Sequence, residues 1–292
     1  MRIALYGKKY SANFFTGFSE LLKTLAENKA EVFIHREFSE QLPAEVSDII
    51  TAKTFDKKEE LEGKVDFLFS IGGDGTLLQS ALLVGSSGVP VLGINTGRLG
   101  FLSGVSQENI PQAVKTIFAK KYSIEQRTLV SFVNGKDFFG ENNFALNEIT
   151  VTKKDTSSMI TIHTWVDNEF VNSYWADGLI IATSTGSTGY SLSCGGPILS
   201  PGCGNFVITP IAPHGLTVRP FVISNKSKIK LKVESRSENF LTTLDSRSVT
   251  LPSSFELQIS RAAFTMGLVR FPGDNFITTL RNKMMWGADK RN

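Results

Sequence analysis

The clearest indication of the fold comes from residues 67–78, which read Phe-Leu-Phe-Ser-Ile-Gly-Gly-Asp-Gly-Thr-Leu-Leu. A compact apolar run, Phe67–Ile71, stops at Gly72 and Gly73, and the helix-compatible segment Thr76–Leu83 follows. A buried strand that ends at a glycine turn and leads into a helix is typical of an open α/β sheet. Ligands bind at this end of such strands. The stretch therefore predicts both a fold class and a place for a ligand.

The residues of this turn favour phosphate chemistry. Gly72, Gly73 and Gly75 permit close approach of the backbone, so that amides can face a phosphate chain. A helix that begins near Thr76 would direct its positive end to the same place. A phosphate cradle alone gains nothing from the negative charge of Asp74, whereas a carboxylate suits proton abstraction from an attacking hydroxyl or orientation of a metal ion. The alternative is a tight turn in which Asp74 is a local cap.

The segments around this turn alternate between strand-like and helix-like patterns. Further strands are predicted at Arg2–Tyr6, Glu31–His35 and Val89–Ile94, and helices at Asn13–Asn28 and Ser106–Lys120. Strands that alternate with helices predict a parallel sheet that is covered on both faces. We expect an α/β nucleotide-binding domain over residues 1–121.

The pattern changes near Tyr122 to short alternating runs separated by turn signals, notably Asn134-Gly135 and Asp167-Asn168. The runs are Ser123–Val133, Phe144–Thr152, Met159–Val166, Phe170–Tyr174, Lys228–Val233 and Phe255–Arg261. They predict an antiparallel sandwich or two-layer β domain over residues 122–271. Helical spacing returns in the tail, and we expect residues 272–292 to pack back onto the first domain.

The composition excludes several classes of protein. Of 292 residues, 41% are hydrophobic and 20% are charged, as in ordinary globular proteins. The net charge of +3 is too small to argue for a nucleic-acid partner. No apolar stretch reaches the roughly 18 residues that a membrane span needs, so no membrane partner is expected. Cys194 and Cys203 form no Cys-x-x-Cys pair, which favours reduced thiols and a cytoplasmic location.

Two further segments carry polar groups at positions that suit a nucleotide. The glycine-rich run Gly93–Leu102 follows a predicted strand and contains Arg98, which suits phosphate, and Phe101, which could stack on a base. Asn147 and Glu148 interrupt an apolar strand, and as neighbours they point to opposite faces unless a bulge turns one of them. Together they could bind the two hydroxyls of a ribose. The alternatives are a loop with a buried phenylalanine and a solvated strand end.

The longest polar segment is residues 176–198, in which an apolar strand enters a run of hydroxyl residues punctuated by Gly186 and Gly189, close to Asp177. Such hydroxyls and free amides can bind phosphate or ribose without charge, although a plain serine–glycine turn is the alternative. No lysine follows the glycines, so this is no Walker loop. The three histidines are too scattered for a metal site, and neither a serine hydrolase elbow nor a Rossmann fingerprint is present. No protein-bound metal is expected.

Taken in order, these elements resemble the NAD kinase family. The matching residues are Gly72–Thr76, Asn95–Phe101, Asn147-Glu148, Asp177-Gly178, Thr185–Thr188 with Tyr190-Ser191, Pro213-His214 and Arg219-Pro220. Gly-Gly-Asp-Gly-Thr also occurs in lipid kinases and, more loosely, in phosphofructokinases. The Asn-Glu pair and the long hydroxyl segment narrow the resemblance to NAD kinases.

The resemblance implies a fold, a reaction and a set of site residues. The fold has an N-terminal α/β domain, a C-terminal β domain and a last helix on the first domain. The reaction moves the γ-phosphoryl group of ATP to the 2′-hydroxyl of the adenosine ribose of NAD, with Mg²⁺ or Mn²⁺ and with Asp74 as general base. Substrate binding is implied for Gly75, Phe101, Asn147, Glu148, Asp177, Thr185, Thr188, Gly189, Tyr190, Ser191, Leu192, Ser193, Ala212 and Arg247, and phosphate binding for Gly72, Gly73, Thr76 and Arg98.

The resemblance further implies a homodimer or homotetramer whose sites draw on a neighbouring subunit. The chain departs from the family pattern at Ser184, where proline is usual, and at Gly189, where alanine is usual. Trp175 stands where arginine or glycine is frequent, at a position that bears on the choice between NAD and NADH. Asp245-Ser246-Arg247 replaces Asp-Gly and a polar residue. The rival hypotheses are a lipid or other small-alcohol kinase and a non-catalytic dinucleotide sensor.

Overall fold

The structure is a computed structural model that describes residues 1–97, 100–154 and 158–285, without the side chains of Ala12 and Ser47. Its contacts divide the chain into two compact units. The first contains Met1–Gln126 together with the chain from Met266 onward, and the second contains Arg127–Thr265. The boundaries fall inside two long strands, and each unit is described by itself.

The first unit contains a parallel sheet. Its strands are β1 (Arg2–Gly7), β2 (Glu31–His35), β3 (Ala52–Phe55), β4 (Phe67–Ile71) and β5 (Val91–Ile94). They lie in the order β5-β4-β1-β2-β3, with every neighbouring pair parallel. β4 and β5 are buried along their whole length, as expected for strands covered on both faces. The ends of β4 and β5 therefore lie side by side.

Helices accompany this sheet, and their apolar faces form its core. They are α1 (Phe15–Glu27), α2 (Arg36–Ser39), α3 (Val46–Ile49), α4 (Asp74–Val84), α5 (Ile110–Phe118) and, from the tail, α8 (Phe276–Met284). α1 buries Phe18, Leu21, Leu22 and Leu25 against the sheet at the spacing of one helical face. α8 buries Leu280 and begins at Asn275, whose side chain accepts a hydrogen bond from the amide of Ile277.

The second unit consists of antiparallel strands in two layers. Its strands are β6 (Ser123–Phe132), β7 (Phe144–Ala145), β8 (Glu148–Lys153), β9 (Ile160–Val166), β10 (Glu169–Ala176), β11 (Gly178–Thr183), β12 (Asn205–Ile211), β13 (Phe221–Ser224), β14 (Ile229–Glu234), β15 (Asn239–Leu244), β16 (Arg247–Pro252) and β17 (Glu256–Arg270). The short helices α6 (Lys136–Phe139) and α7 (Tyr190–Ser193) connect some of them.

One layer of the second unit has the order β13-β12-β11-β8-β15-β16, and the other contains β10-β9-β14-β17. Inward residues of both layers, among them Val151, Ile181, Phe206, Phe240 and Leu257, form one fully buried core. Because β8 lies between β11 and β15, the start of β8 is bordered by the end of both neighbours. Glu148 pairs with Ala182, and Ile149 pairs with Leu244.

The predicted fold class is confirmed, with a parallel α/β sheet in the first half and antiparallel sheets in the second. The chain turns at Asn134, as predicted, and Gly135 with φ −94° then leads into α6. One local expectation was wrong. The predicted strand Phe144–Thr152 is broken into β7 and β8 by a bend at Leu146 and Asn147. Among the described residues, no helix has the length and hydrophobicity that crossing a bilayer requires.

Candidate active site

The turn after β4 places Asp74 at the first position of α4, directly behind Gly72 and Gly73. Gly72 has φ 151°, and a Cβ on it would lie 2.3 Å from the Thr76 hydroxyl oxygen, so the tight turn requires glycine. The amide of Gly72 donates to the carbonyl of Ile94 at the end of β5. Gly73, Gly75 and Thr76 therefore surround the N-terminus of a helix of 11 residues, where free backbone amides favour an anion.

The carboxylate of Asp74 joins this turn to the second glycine-rich segment. Its Oδ2 accepts the amide of Phe101 at 2.8 Å, and its Oδ1 accepts the amides of Leu102 and Ser103, both at 3.1 Å. A Cβ on Gly100 would lie 1.8 Å from Asp74 Oδ1, so only glycine lets the loop approach this closely. The sequence pattern indicated each segment but not this contact. Arg98, predicted to bind phosphate, lies outside the described residues.

Phe101 contacts the tail of the chain. Lys283 in α8 places its ammonium nitrogen 5.9 Å from the centre of the Phe101 ring, within the range of a cation–π interaction. A cavity of about 420 Å³ opens beside this loop, and its walls include Gly100, Phe101, Arg270 and Lys283. The guanidinium of Arg270 is already paired with Glu125 at 2.8 Å. The loop that binds Asp74 thus has α8 as a neighbour.

In the second unit, the bend at Leu146 and Asn147 brings the side chains of Asn147 and Glu148 to the same side. In a regular strand, adjacent residues point to opposite faces. A Cβ on Gly189 would lie 3.5 Å from Glu148 Oε2 and 3.7 Å from Asn147 Nδ2, so the two side chains reach one place beside Gly189. Gly186 packs on the same bend, because a Cβ there would lie 2.2 Å from the carbonyl oxygen of Asn147. An amide and a carboxyl group therefore converge next to a glycine that leaves room.

Glu148 is 8% exposed, and its Oε2 is fully buried without a hydrogen-bond partner among the described residues. Burial, and secondarily the negative charge of Asp245, raises the pKa of Glu148 to about 8. A buried carboxyl oxygen without a partner is costly. A ligand with hydroxyl or other polar groups would supply the missing partner.

The hydroxyl segment after β11 folds over this bend. Thr188 ends a short helical turn, and its hydroxyl donates to the carbonyl of Thr185 at 3.3 Å. The Thr185 hydroxyl accepts from the guanidinium of Arg127, and the Ser191 hydroxyl bonds that of Thr209 at 2.8 Å. Both hydroxyl groups thus have internal partners. Leu192 and Ser193 complete α7.

A second polar group lies at the other end of β11. Asp177 forms an ion pair of 2.6 Å with Lys153, and its amide donates to the carbonyl of Ile211, just before Ala212. Tyr190 is 44% exposed, and burial raises the pKa of its phenol with additions from Cys194, Asp177 and Glu148. Tyr190 therefore lies within electrostatic reach of both acidic groups.

Other members of the predicted set have partners that the sequence did not indicate. The guanidinium of Arg247 donates to the carbonyls of Asn142 and Phe144, and Asp245 binds amides of the Asn147–Glu148 bend. Neither Asp245 nor Arg127 had been assigned a role. The available signal for Asp245 was its position in a hairpin turn, which by itself indicates only a turn residue.

The donor set fits a metal that arrives with its ligand. Among residues 1–97, 100–154 and 158–285, no group of three or more His, Cys, Asp or Glu side chains could hold an ion. Mg²⁺ is commonly bound by one or two carboxylates together with substrate phosphates. The phosphates would have to supply most ligands of such an ion, since three backbone amides already bond the Asp74 carboxylate.

Comparisons with known proteins agree with the geometry. Residues 5–122 match the family described as the ATP-NAD kinase N-terminal domain, and residues 146–271 match the ATP-NAD kinase C-terminal domain. NAD kinases of Flavobacterium psychrophilum and Bacteroides fragilis are 47% and 43% identical to this chain, over all of both chains in each case.

Solved structures show the same fold. An NAD kinase from Archaeoglobus fulgidus in complex with ATP superposes with a TM-score of 0.74 at 29% identity, covering 98% of this chain and 99% of that one. A yeast NADH kinase complexed with NADH gives a TM-score of 0.87 at 22% identity, covering 99% of this chain and 89% of that one. From these matches along its whole length, the chain belongs to the NAD kinase family.

Proposed function

We propose that this chain is an NAD kinase, which transfers the γ-phosphoryl group of ATP to the 2′-hydroxyl of the adenosine ribose of NAD and so forms NADP. In this proposal the first unit supplies the phosphate-binding turn and Asp74, and the second unit supplies the dinucleotide-binding residues. Full-length similarity to NAD kinases supports the activity, and the contacts of Asp74 support the mechanism.

The observation that carries the mechanism is the orientation of the Asp74 carboxylate. A carboxylate has about four lone-pair positions, and three backbone amides of the loop 101–103 occupy three of them. Because Oδ1 accepts two of these bonds and Oδ2 one, the remaining lone pair belongs to Oδ2. An oriented and only partly buried carboxylate oxygen can accept the proton of an attacking hydroxyl. We therefore assign Oδ2 of Asp74 as the general base.

The phosphates would lie at the N-terminus of α4. Gly72, Gly73, Gly75 and Thr76 surround this end, and the helix dipole attracts negative charge there. Phosphoryl transfer depends chiefly on positioning and on neutralising charge. A divalent ion, Mg²⁺ or Mn²⁺, would neutralise phosphate charge when bound with ATP. Arg98 is proposed from the sequence alone to assist.

Recognition of the dinucleotide is proposed for the second unit. Asn147 and Glu148 would bind ribose hydroxyls, since both side chains reach the space beside Gly189 and Glu148 Oε2 lacks a partner among the described residues. Asp177, Tyr190 and Ala212 would contact the remainder of the ligand. Thr185, Thr188 and Ser191–Ser193 would line it mainly through the backbone, since two of their hydroxyls already bond Arg127 and Thr209.

Trp175 is proposed to influence the choice between the oxidised and reduced dinucleotide. Its ring is 50% exposed and packs on His214, with the ring centres 4.5 Å apart. The indole carries no net charge that would repel the oxidised nicotinamide, and the face of an aromatic ring attracts a cation. We expect NAD to be preferred over NADH.

Self-association into a homodimer or homotetramer is proposed as well. β13 is an edge strand of the six-stranded layer, and its Phe221 and Val222 are 45% and 38% exposed. Leu216 just before it is 91% exposed. An apolar edge of this kind is a liability unless another chain covers it. Light scattering on the purified protein measures the assembly directly.

The test of the function is an assay of purified protein with ATP, Mg²⁺ and one acceptor at a time. NADP formation from NAD supports the proposal, and NADH and diacylglycerol serve as competing acceptors. Phosphorylation of diacylglycerol alone would indicate a lipid kinase. Binding of NAD by calorimetry without any NADP would indicate a dinucleotide sensor. The comparisons favour neither rival.

A further inference from the structure

The turn between β15 and β16 carries a carboxylate that the proposed reaction does not use. Asp245 is the first residue of this turn and has φ 52°, a left-handed conformation that asparagine or glycine adopts more easily. Its side chain does not point to solvent. Burial, the largest effect, raises the pKa of Asp245, while three backbone amides and Arg247 oppose that rise.

The three amides belong to consecutive residues of the bend that carries the candidate ligand-binding pair. Asp245 Oδ2 accepts the amide of Leu146 at 2.9 Å, and Oδ1 accepts those of Asn147 and Glu148 at 2.9 and 3.2 Å. In return, the amide of Asp245 donates to the carbonyl of Glu148 at 3.1 Å. Four hydrogen bonds therefore connect one turn residue with this short segment.

The bend has lost the partners that a regular strand would provide. β7 ends at Ala145 and β8 begins at Glu148, so Leu146 and Asn147 belong to neither strand. Their carbonyls are satisfied by Thr183, whose hydroxyl donates to Leu146 at 2.6 Å and whose amide donates to Asn147 at 2.8 Å. Their amides are satisfied by Asp245. Because buried backbone groups need such partners, Thr183 and Asp245 determine the path of the bend.

Arg247 binds the segment of the chain that precedes the bend. Its guanidinium donates to the carbonyls of Asn142 and Phe144, and it lies close enough to Asp245 for an electrostatic attraction. The tip of the β15–β16 hairpin thus holds the chain from residue 142 to residue 148. The hairpin at the β9–β10 turn provides a contrast. There Asp167 has φ 51° and its exposed carboxylate accepts the amide of Lys228, which is not among the candidate site residues.

We infer that Asp245 is a positioning residue for dinucleotide recognition. Its carboxylate accepts hydrogen bonds from the amides of residues 146–148 and so places the Asn147 and Glu148 side chains beside Gly189. This inference rests on the proposed function, because NAD is the ligand that the pair would bind. Asp245 acts through the backbone and need not touch the ligand. The negative charge of Asp245 also acts on Glu148 and raises its pKa. Removing that charge should therefore change the pH at which Glu148 ionises.

Asp245→Asn is the variant that tests it. Asparagine suits the left-handed turn, but its NH₂ group replaces one carboxylate oxygen and leaves at least one backbone amide of the bend without its acceptor. We expect KM for NAD to rise about tenfold or more, since one lost hydrogen bond to the bend costs that much in equilibrium terms. We expect kcat and KM for ATP to change by less than a factor of about three. Asp167→Asn, the matched change in the other hairpin, leaves all three constants at the wild-type values.

The pH profile separates positioning from a general loss of structure. Removing the charge of Asp245 favours ionisation of Glu148, so the pH dependence of KM for NAD shifts to lower pH in Asp245→Asn. In Glu148→Gln the group is absent, and adding Asp245→Asn causes no further shift. A variant with lower thermal stability but an unmoved profile and unchanged KM for NAD would overturn the inference. So would a rise in KM for ATP as large as that for NAD.

Hydrogen exchange on the wild-type protein decides the matter if Asp245→Asn does not fold. We expect the amides of residues 146–148 to exchange at least about tenfold more slowly than the same amides in an unfolded peptide of that sequence. Equally fast exchange would mean that the Asp245 contacts do not form. Failure of the function itself is distinguishable, because wild-type protein would then make no NADP. Calorimetric binding of NAD to wild type and Asp245→Asn would still measure the positioning effect.

Discussion

Asp74→Asn isolates the proton-accepting role of Asp74 from its role in holding the loop. Asparagine has almost the same size, and its carbonyl oxygen can keep the two amide bonds from Leu102 and Ser103 that Oδ1 accepts. Its NH₂ group takes the place of Oδ2 and meets the amide of Phe101, which donates to Oδ2 at 2.8 Å in the wild-type protein. The variant therefore loses the free lone pair and one backbone hydrogen bond.

These two losses have different sizes and different readouts. A lost hydrogen bond to the loop costs about 1–3 kcal/mol and affects the stability of the loop. A lost general base typically lowers the rate by about 10²–10⁴-fold. We expect kcat to fall by about 10²-fold or more, which corresponds to roughly 2.7 kcal/mol or more in the barrier. We expect the dissociation constant for NAD to change by less than about tenfold, because Asn147 and Glu148 are unaltered.

The assay measures NADP formation at saturating NAD and ATP, with NAD binding measured separately by calorimetry. Asp66→Asn is the matched control, since Asp66 also accepts a backbone amide in the first unit, that of Arg2, but lies outside the site. It should keep the wild-type kcat. Gly100→Ala keeps the carboxylate but places a methyl group 1.8 Å from Oδ1, so kcat should fall there too. A folded Asp74→Asn variant with near wild-type kcat would refute the role of Asp74 as base, and an equal loss of NAD binding would make it a substrate ligand.

Three further predictions concern the second unit. Asn147→Ala and Glu148→Ala should each raise KM for NAD by the equivalent of about 1–3 kcal/mol, and unchanged values in both would remove the pair from the site. Because the pKa of Glu148 is raised from 4.5 to about 8 in the folded protein, its contribution to stability is present below pH 4.5 and is lost as the pH rises to 8. The difference in free energy of unfolding between Glu148→Gln and wild type, measured by denaturant titration, should therefore favour the variant more at pH 8 than at pH 5. An equal difference at both pH values would contradict the burial argument. The ratio of kcat/KM for NAD to that for NADH should exceed one and should change in Trp175→Ala, whereas equal values for the two dinucleotides would remove the expected preference.

Patterns with strong periodicity predicted the framework well. The glycine turn after Phe67–Ile71 indicated the α/β sheet, and the observed β4 has those same bounds. The Asp167-Asn168 turn was also predictable, since both residues take positive φ in the hairpin between β9 and β10. Local sequence determines these features because the residues that form them are neighbours in the chain.

The arrangement of the site was less accessible because it depends on contacts across long sequence separations. Asp74 binds amides 27–29 positions away, and Asp245 binds amides 97–99 positions away. The family resemblance marked Asp245-Ser246-Arg247 as a motif, but no local pattern showed that Asp245 binds the amides of residues 146–148. The bend at Leu146 and Asn147 could not be predicted for the same reason, since the residues that bond its backbone, Thr183 and Asp245, are distant in sequence.

Identification of the phosphorylated product would show whether this chain transfers phosphate to the 2′-hydroxyl of NAD. Purified protein is incubated with NAD, ATP and Mg²⁺, and the product is examined by ³¹P NMR and mass spectrometry. We expect NADP with one new phosphomonoester at the 2′-position of the adenosine ribose, at a rate that Asp74→Asn lowers by about 10²-fold or more. Phosphate on a different hydroxyl, or NAD that binds and is recovered unchanged, would contradict it.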